Sequence, residues 1–162
     1  NEHFIYLEEE MEIVDFYLSL QNGRFGEKIT YAISYEGNKE EYSKCMVPRL
    51  SIEPIVENAV CHGLEPKDEN GHIQILISMT EDTLRISIED NGVGFDPNLL
   101  KESKEDRTHS HVGLWNTNKM IHNLCGDEYG LEIESKIGEG TKVCVVLPIK
   151  CEGNYVESND CR

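Results

Sequence analysis

Two neighbouring runs of strict alternation constrain this chain more than any other feature. Ile73, Ile75, Ile77 and Met79 recur at every second position, as do Leu84, Ile86 and Ile88, with Glu81-Asp82 between the runs. A period of two marks a strand with one buried face, and two such runs across a short polar turn read as a hairpin. The apolar face of that hairpin has to be covered by helices or by a second sheet.

The rest of the chain supplies helices and further strands. Phe4, Leu7, Met11, Val14 and Leu18 follow a 3,4 spacing with Glu8, Glu9, Glu10 and Glu12 between them, which predicts an amphipathic helix ending near Gly23. Such a stripe can be core or dimer seam. Ile29, Tyr31, Ile33 and Tyr35 alternate as a strand. Residues 51–62 predict a second helix, with Ser51 as N-cap, Pro54 in the first turn and Gly63 as the stop. Leu114, Thr117, Ile121 and Leu124 give a third helical stripe. A last hairpin sets Leu131, Ile133 and Ser135 against Val143, Val145, Leu147 and Ile149, turning through Gly138-Glu139-Gly140. This order predicts an α+β fold, a two-layer sandwich with helices on one face of a mixed, mostly antiparallel sheet. Between Phe95 and His111 the chain is polar with almost no apolar residue, as expected of a lid or insertion. The tail from Cys151 is polar and expected to fray.

At 162 residues the chain suits one domain. Its 15 Lys and Arg against 31 Asp and Glu leave a formal charge of -16, which repels phosphate backbones and anionic membrane faces and argues against nucleic-acid binding. A nucleotide site on such a chain draws its positive character locally, from backbone N–H groups, a helix N-terminus or a metal ion. The 6 cysteines form no C-x-x-C pair and read as reduced thiols of a cytosolic protein. No apolar run reaches membrane-span length. The chain opens directly in a helical pattern and reads as a piece of a longer protein, with room for a membrane anchor elsewhere.

Four segments carry chemistry. Asp90-Asn91-Gly92-Val93-Gly94 follows a strand, so a carboxylate stands beside backbone that can approach a ligand closely; it is either an ordinary D-N-G turn or an acceptor for an exocyclic amine such as adenine's. Asn58 and His62, four apart, share a helix face, and the Asn58 amide oxygen suits Mg²⁺ unless the pair is only a solvated stripe. Glu57 lies about 100° round the same helix. Val112-Gly113-Leu114-Trp115-Asn116 opens a helix where backbone N–H groups can meet phosphate, and Gly138-Glu139-Gly140-Thr141 turns the last hairpin. His109 and His111, just before Gly113, are either solvated lid residues or a metal pair.

Taken in order, Glu57-Asn58-Ala59-Val60-Cys61-His62-Gly63 and the three glycine-bearing segments resemble the N, G1, G2 and G3 boxes of the Bergerat ATPase superfamily, which includes gyrase, the mismatch-repair protein MutL and the histidine kinases. The similarity is strongest to the LytS/YesM-like branch of sensor histidine kinases, whose pattern "P-x-L-x-x-x-P-x-V-E-N-A-x-x-H-G" fits residues 48–63, and whose "Y-L-x-x-Q-x-x-R-F" fits residues 17–25. The resemblance implies the Bergerat ATP-binding fold with ATP and Mg²⁺. Asp90 would bind the adenine amine with Thr141 assisting through water, and Asn58 would ligate Mg²⁺. His62 would lie near the phosphates, Gly92 and Gly94 would make room for the base, Gly113 and Leu114 would cover the phosphates, and Lys119 would add positive charge. Glu57 is the candidate base. The boundaries implied are 1–24 as the end of a dimerisation and phosphoacceptor helix, 25–150 as the ATP-binding domain and 151–162 as a tail. The partners implied are a phosphoacceptor helix, a response regulator and a second copy in a membrane-anchored parent with this domain in the cytoplasm.

The departures matter too. His109-Ser110-His111 stands where further glycines are often found. Gyrase and MutL place a catalytic glutamate at the position of Pro54, which argues against their hydrolysis, and no "P-H-F" acceptor segment is present. A stand-alone serine kinase or ATPase of this fold and a nucleotide-free scaffold are the alternatives. Loss of the glutamate counts against hydrolysis, and failure to bind ATP would establish the scaffold.

Overall fold

The computed structural model describes residues 2–67, 70–101 and 109–150. The central sheet has the order β2-β4-β5-β7-β6, built from β2 (Ile29–Tyr35), β4 (Gly71–Met79), β5 (Thr83–Asp90), β6 (Gly130–Lys136) and β7 (Gly140–Pro148). Only β2 and β4 run parallel; every other pair is antiparallel. Both expected hairpins and the strand at 29–35 are therefore present. The alternation does what it predicts, since Ile75 pairs with Ile88, Ile86 with Val145 and Leu84 with Leu147, all facing one core. Burying each such side chain contributes about 1.5–3 kcal/mol.

Helices α1 (Leu7–Arg24), α2 (Glu53–Asn58) and α3 (His109–Cys125) cover that face. The apolar stripe of α1 belongs to the core: Leu7, Met11, Val14 and Leu18 are buried with the sheet's isoleucines. No break in packing separates residues 7–24 from the rest. A second stripe on α1, Ile13, Phe16 and Leu20, stays exposed.

Three local expectations are corrected. Phe4–Tyr6 is not the start of the helix but a short strand, β1, pairing antiparallel with β3 (Met46–Pro48). Ser51 does not cap α2; its hydroxyl is buried without a hydrogen-bond partner. Glu10, 1% exposed, reaches across from α1 instead, its Oε1 accepting the N–H of Ile52 at 3.2 Å and of Glu53 at 3.3 Å. A carboxylate at a helix start satisfies orphan donors and complements the dipole, which justifies burying its charge. Nor does Gly63 stop the helix, because α2 continues as a π turn over Ala59–Leu64. A 3₁₀ helix covers Pro97–Lys101 in the expected polar stretch, and residues 102–108 and the tail from Cys151 lie outside the described residues. Among the described residues Cys45, Cys61, Cys125 and Cys144 form no disulfide. No described helix is long and apolar enough to cross a membrane.

Candidate functional site

Asp90 is the last residue of β5, paired with Thr141 of β7 and Ile73 of β4, so the sheet itself fixes where its carboxylate points. It is 5% exposed, and Oδ1 accepts the Gly92 N–H at 2.8 Å. Burial pushes its pKa up to about 6, although the backbone N–H groups of Gly92 and Thr141 pull it down. A buried carboxylate with spare lone pairs is an acceptor waiting for a donor.

The glycines around it have separate jobs. A Cβ on Gly63 would stand 2.9 Å from Asp90 Oδ1, so glycine inside the π turn is what lets the carboxylate sit there. Gly92 packs on the Gly63 backbone, where a Cβ would collide with the Gly63 carbonyl. Gly94 has a φ of +64 and a Cβ there would meet the Lys136 carbonyl. Gly92 and Gly94 thus make room for neighbouring backbone, and Gly94 also lines the cavity beside Asp90. The Val93 N–H donates to the Gly63 carbonyl at 2.9 Å and the Gly138 N–H to the Val93 carbonyl at 2.7 Å, pinning the loop between the π turn and the last hairpin.

Thr141 is buried beside Asp90, its hydroxyl 2.7 Å from Ser135 Oγ. Ser135 spends its single proton on the Gly140 carbonyl at 3.1 Å, so Thr141 is the donor between them and keeps its lone pairs for another partner. Asn58, the last residue of α2, and His62, in the π turn, both line the same cavity as Asp90 and Thr141. Single π turns within α-helices are frequent at functional sites. The cavity has a volume of about 230 Å³, and Gly94, Phe95 and His111 also line it. A larger hollow of about 360 Å³ beside Tyr35 and Tyr42 gathers none of the expected residues.

Asn58, His62, Asp90, Gly94 and Thr141 are thus brought together. Glu57, Gly113, Leu114 and Lys119 are not among the residues lining the cavity. Glu57 is exposed and beside Glu53, whose pKa rises to about 7 through burial first and the Glu57 charge second. Gly113 is the fifth residue of α3, past the four free N–H groups of a helix start. Leu114 is buried in the core. The Lys119 ammonium lies 5.1 Å from the centroid of the Trp115 ring, in a shallow cleft with Glu2, His3 and Arg49. Gly63 and Phe95 were not singled out as site residues from sequence, although glycine within a helical pattern signals close approach. Among the described residues no three His, Cys, Asp or Glu side chains gather as a metal cluster, and the side chain of His109 lies outside the described residues.

Residues 48–150 match the family described as histidine kinase-, DNA gyrase B-, and HSP90-like ATPase. The chain belongs to this family. The match starts at the end of β3 and runs to the end of the described chain, covering every element that builds the cavity. Over 90% of its length the chain is 33% identical to Sensor histidine kinase YesM of Bacillus subtilis, and over 98% it is 32% identical to Sensor protein LytS of Staphylococcus saprophyticus. It spans only 24% and 27% of those proteins, about a quarter of their length. The fold of the catalytic domain of histidine kinase ThkA superposes with a TM-score of 0.62 at 20% identity, covering 92% of this chain and 97% of that one.

Proposed function

We propose that this chain is the ATP-binding kinase domain of a two-component sensor histidine kinase, holding Mg²⁺-ATP so that the γ-phosphoryl group reaches a histidine on a separate helix. The observation that carries this reading is the desolvated Asp90 carboxylate on the wall of a cavity that also presents Asn58 and His62. An ionised carboxylate accepts the exocyclic amine of adenine and is repelled by the carbonyl that guanine presents at the same position, so it selects the base. Thr141, with its proton committed to Ser135, offers an acceptor to a bridging water.

Asn58 fits a hard cation through its amide oxygen, and with no acidic cluster around it among the described residues the remaining ligands would be phosphate oxygens and water. When bound, Mg²⁺ neutralises charge on the phosphates. The residues of this chain bind, orient and exclude water, which is most of what phosphoryl transfer asks of a protein. Among the described residues Asp90 is the cavity wall's one carboxylate, which favours transfer to a positioned acceptor over hydrolysis.

On this reading the partners are a phosphoacceptor helix, in a homodimeric and membrane-anchored parent with this domain in the cytoplasm, and a response regulator whose aspartate takes the phosphoryl group. The test is calorimetric titration of a non-hydrolysable ATP analogue with Mg²⁺ into the chain and into Asp90→Asn. Micromolar binding, lost in the variant and absent for the guanine analogue, is the expected result. No heat at millimolar ligand would sink the nucleotide reading. Transfer of label from ATP to a histidine-bearing helix domain then separates kinase from ATPase.

A further inference from the structure

His111 is the third residue of α3, 6% exposed, and its ring lies against Phe95 with centroids 4.4 Å apart. It lines the cavity with Asp90, Thr141 and His62, and its Nδ1 is buried with no hydrogen-bond partner. A leucine or phenylalanine would pack on Phe95 as well without orphaning a ring nitrogen, so packing alone does not account for an imidazole here.

Charge makes the same point. The chain carries a formal -16, and among the described residues no lysine or arginine lines the cavity. Lys67, the cation whose charge reaches Asp90, spends its ammonium on the Asn91 carbonyl at 2.7 Å. Lys119 sits over Trp115. Among the described residues the imidazoles of His62 and His111 are the cavity's side-chain N–H donors apart from the Asn58 amide, and His111 stands within the first turn of α3, where the helix dipole also favours an anion.

We infer that His111 is a nucleotide-contacting residue of this chain, its ring N–H donating to a phosphate oxygen of the nucleotide whose base Asp90 holds. A half-turn about χ2, a broad and soft torsion, exchanges the two edges of the ring and so can present Nδ1 to a ligand. This inference rests on the nucleotide reading of the cavity.

The experiment compares dissociation constants for Mg²⁺-ATP and for adenosine in the wild-type chain, His111→Ala, His111→Asn and His111→Phe. His111→Ala is expected to weaken ATP binding about tenfold and to leave adenosine within about twofold, the loss of one hydrogen bond to a charged group. His111→Asn, which restores an N–H near the Nδ1 position, recovers most of the difference. His111→Phe keeps the packing on Phe95 but not the nitrogen, so it reproduces the selective ATP loss even where His111→Ala does not fold. Unchanged ATP affinity in His111→Phe, or equal losses for ATP and adenosine, overturns the phosphate contact while leaving the nucleotide site standing. A wild-type chain that binds neither ligand overturns the site and the contact together.

Discussion

Burial raises the Asp90 carboxyl from 3.8 to about 6, and the consequence has opposite signs for folding and for binding. The folded state prefers the protonated acid, so the stability it contributes is fully present below the unfolded value and is lost as pH rises through about 6. At neutral pH the ionised carboxylate therefore burdens the ligand-free fold, by about 2–3 kcal/mol if the whole shift is realised. Asp90→Asn should melt higher than wild type at pH 7.5, with the gap closing toward pH 4. A parallel pair of melting curves across that range would dismiss the burial argument. Adenosine binding needs the ionised form and should fall up to tenfold per pH unit below about 6, a titration in which the ligand's own phosphates play no part. The glycines divide along the same line. A methyl on Gly63 first meets the Asp90 side chain, whereas one on Gly92 meets the Gly63 backbone. Gly63→Ala should lose nucleotide affinity at nearly unchanged melting temperature, and Gly92→Ala should lose both. Equal effects in calorimetry and thermal melts would contradict that division.

Among the elements, α2 shows what one distant carboxylate can do. Glu10 Oε1 receives two N–H groups at the start of α2, and its Oε2 receives the Leu50 N–H at 3.4 Å. Glu10→Ala orphans these donors in a buried setting and should cost about 2–4 kcal/mol in denaturant unfolding. A loss below about 1 kcal/mol would mean that water replaces the cap. Glu10 also marks the limit of what could be read beforehand. The stripe of α1 was legible from its spacing, yet Glu10 lies three residues after Leu7 and four before Val14, on the buried face, and passes for one more solvated glutamate among Glu8, Glu9 and Glu12. The two hairpins were legible because their period of two runs over several residues. β1 and β3, each of three residues, are too short to show a period, so Phe4 reads as helix until Met46–Pro48 is seen beside it. Asp90, Asn58 and Thr141 were legible because their chemistry is tied to local motifs. The places of Gly63, Gly92 and His111 depend on contacts between distant segments, which spacing does not encode.

For the molecule as a whole, the formal charge of -16 acts as a term of its own. Excess acidic side chains repel one another across a compact surface and destabilise it relative to the expanded chain. The described ion pairs offer little in return, since Arg24–Glu65, Arg85–Glu132 and Lys136–Glu139 are all largely exposed and such pairs are worth about 0–1 kcal/mol each. Salt screens both effects, but the repulsion is summed over many charges separated by more than one contact distance. Raising ionic strength from about 0.01 M to about 0.15 M shortens the Debye length from roughly 30 Å to roughly 8 Å, which removes most of the long-range repulsion and leaves adjacent pairs partly intact. The melting temperature should therefore climb by several degrees over that interval in sodium chloride and then level off. Binding of neutral adenosine, which adds no charge, should stay constant once measured well below the melting point, while Mg²⁺-ATP should bind more tightly as the repulsion is screened. A melting temperature that falls with added salt would mean that the local ion pairs outweigh the net charge, and the stability of the fold would then rest on contacts such as Arg85–Glu132 rather than on the core beneath them.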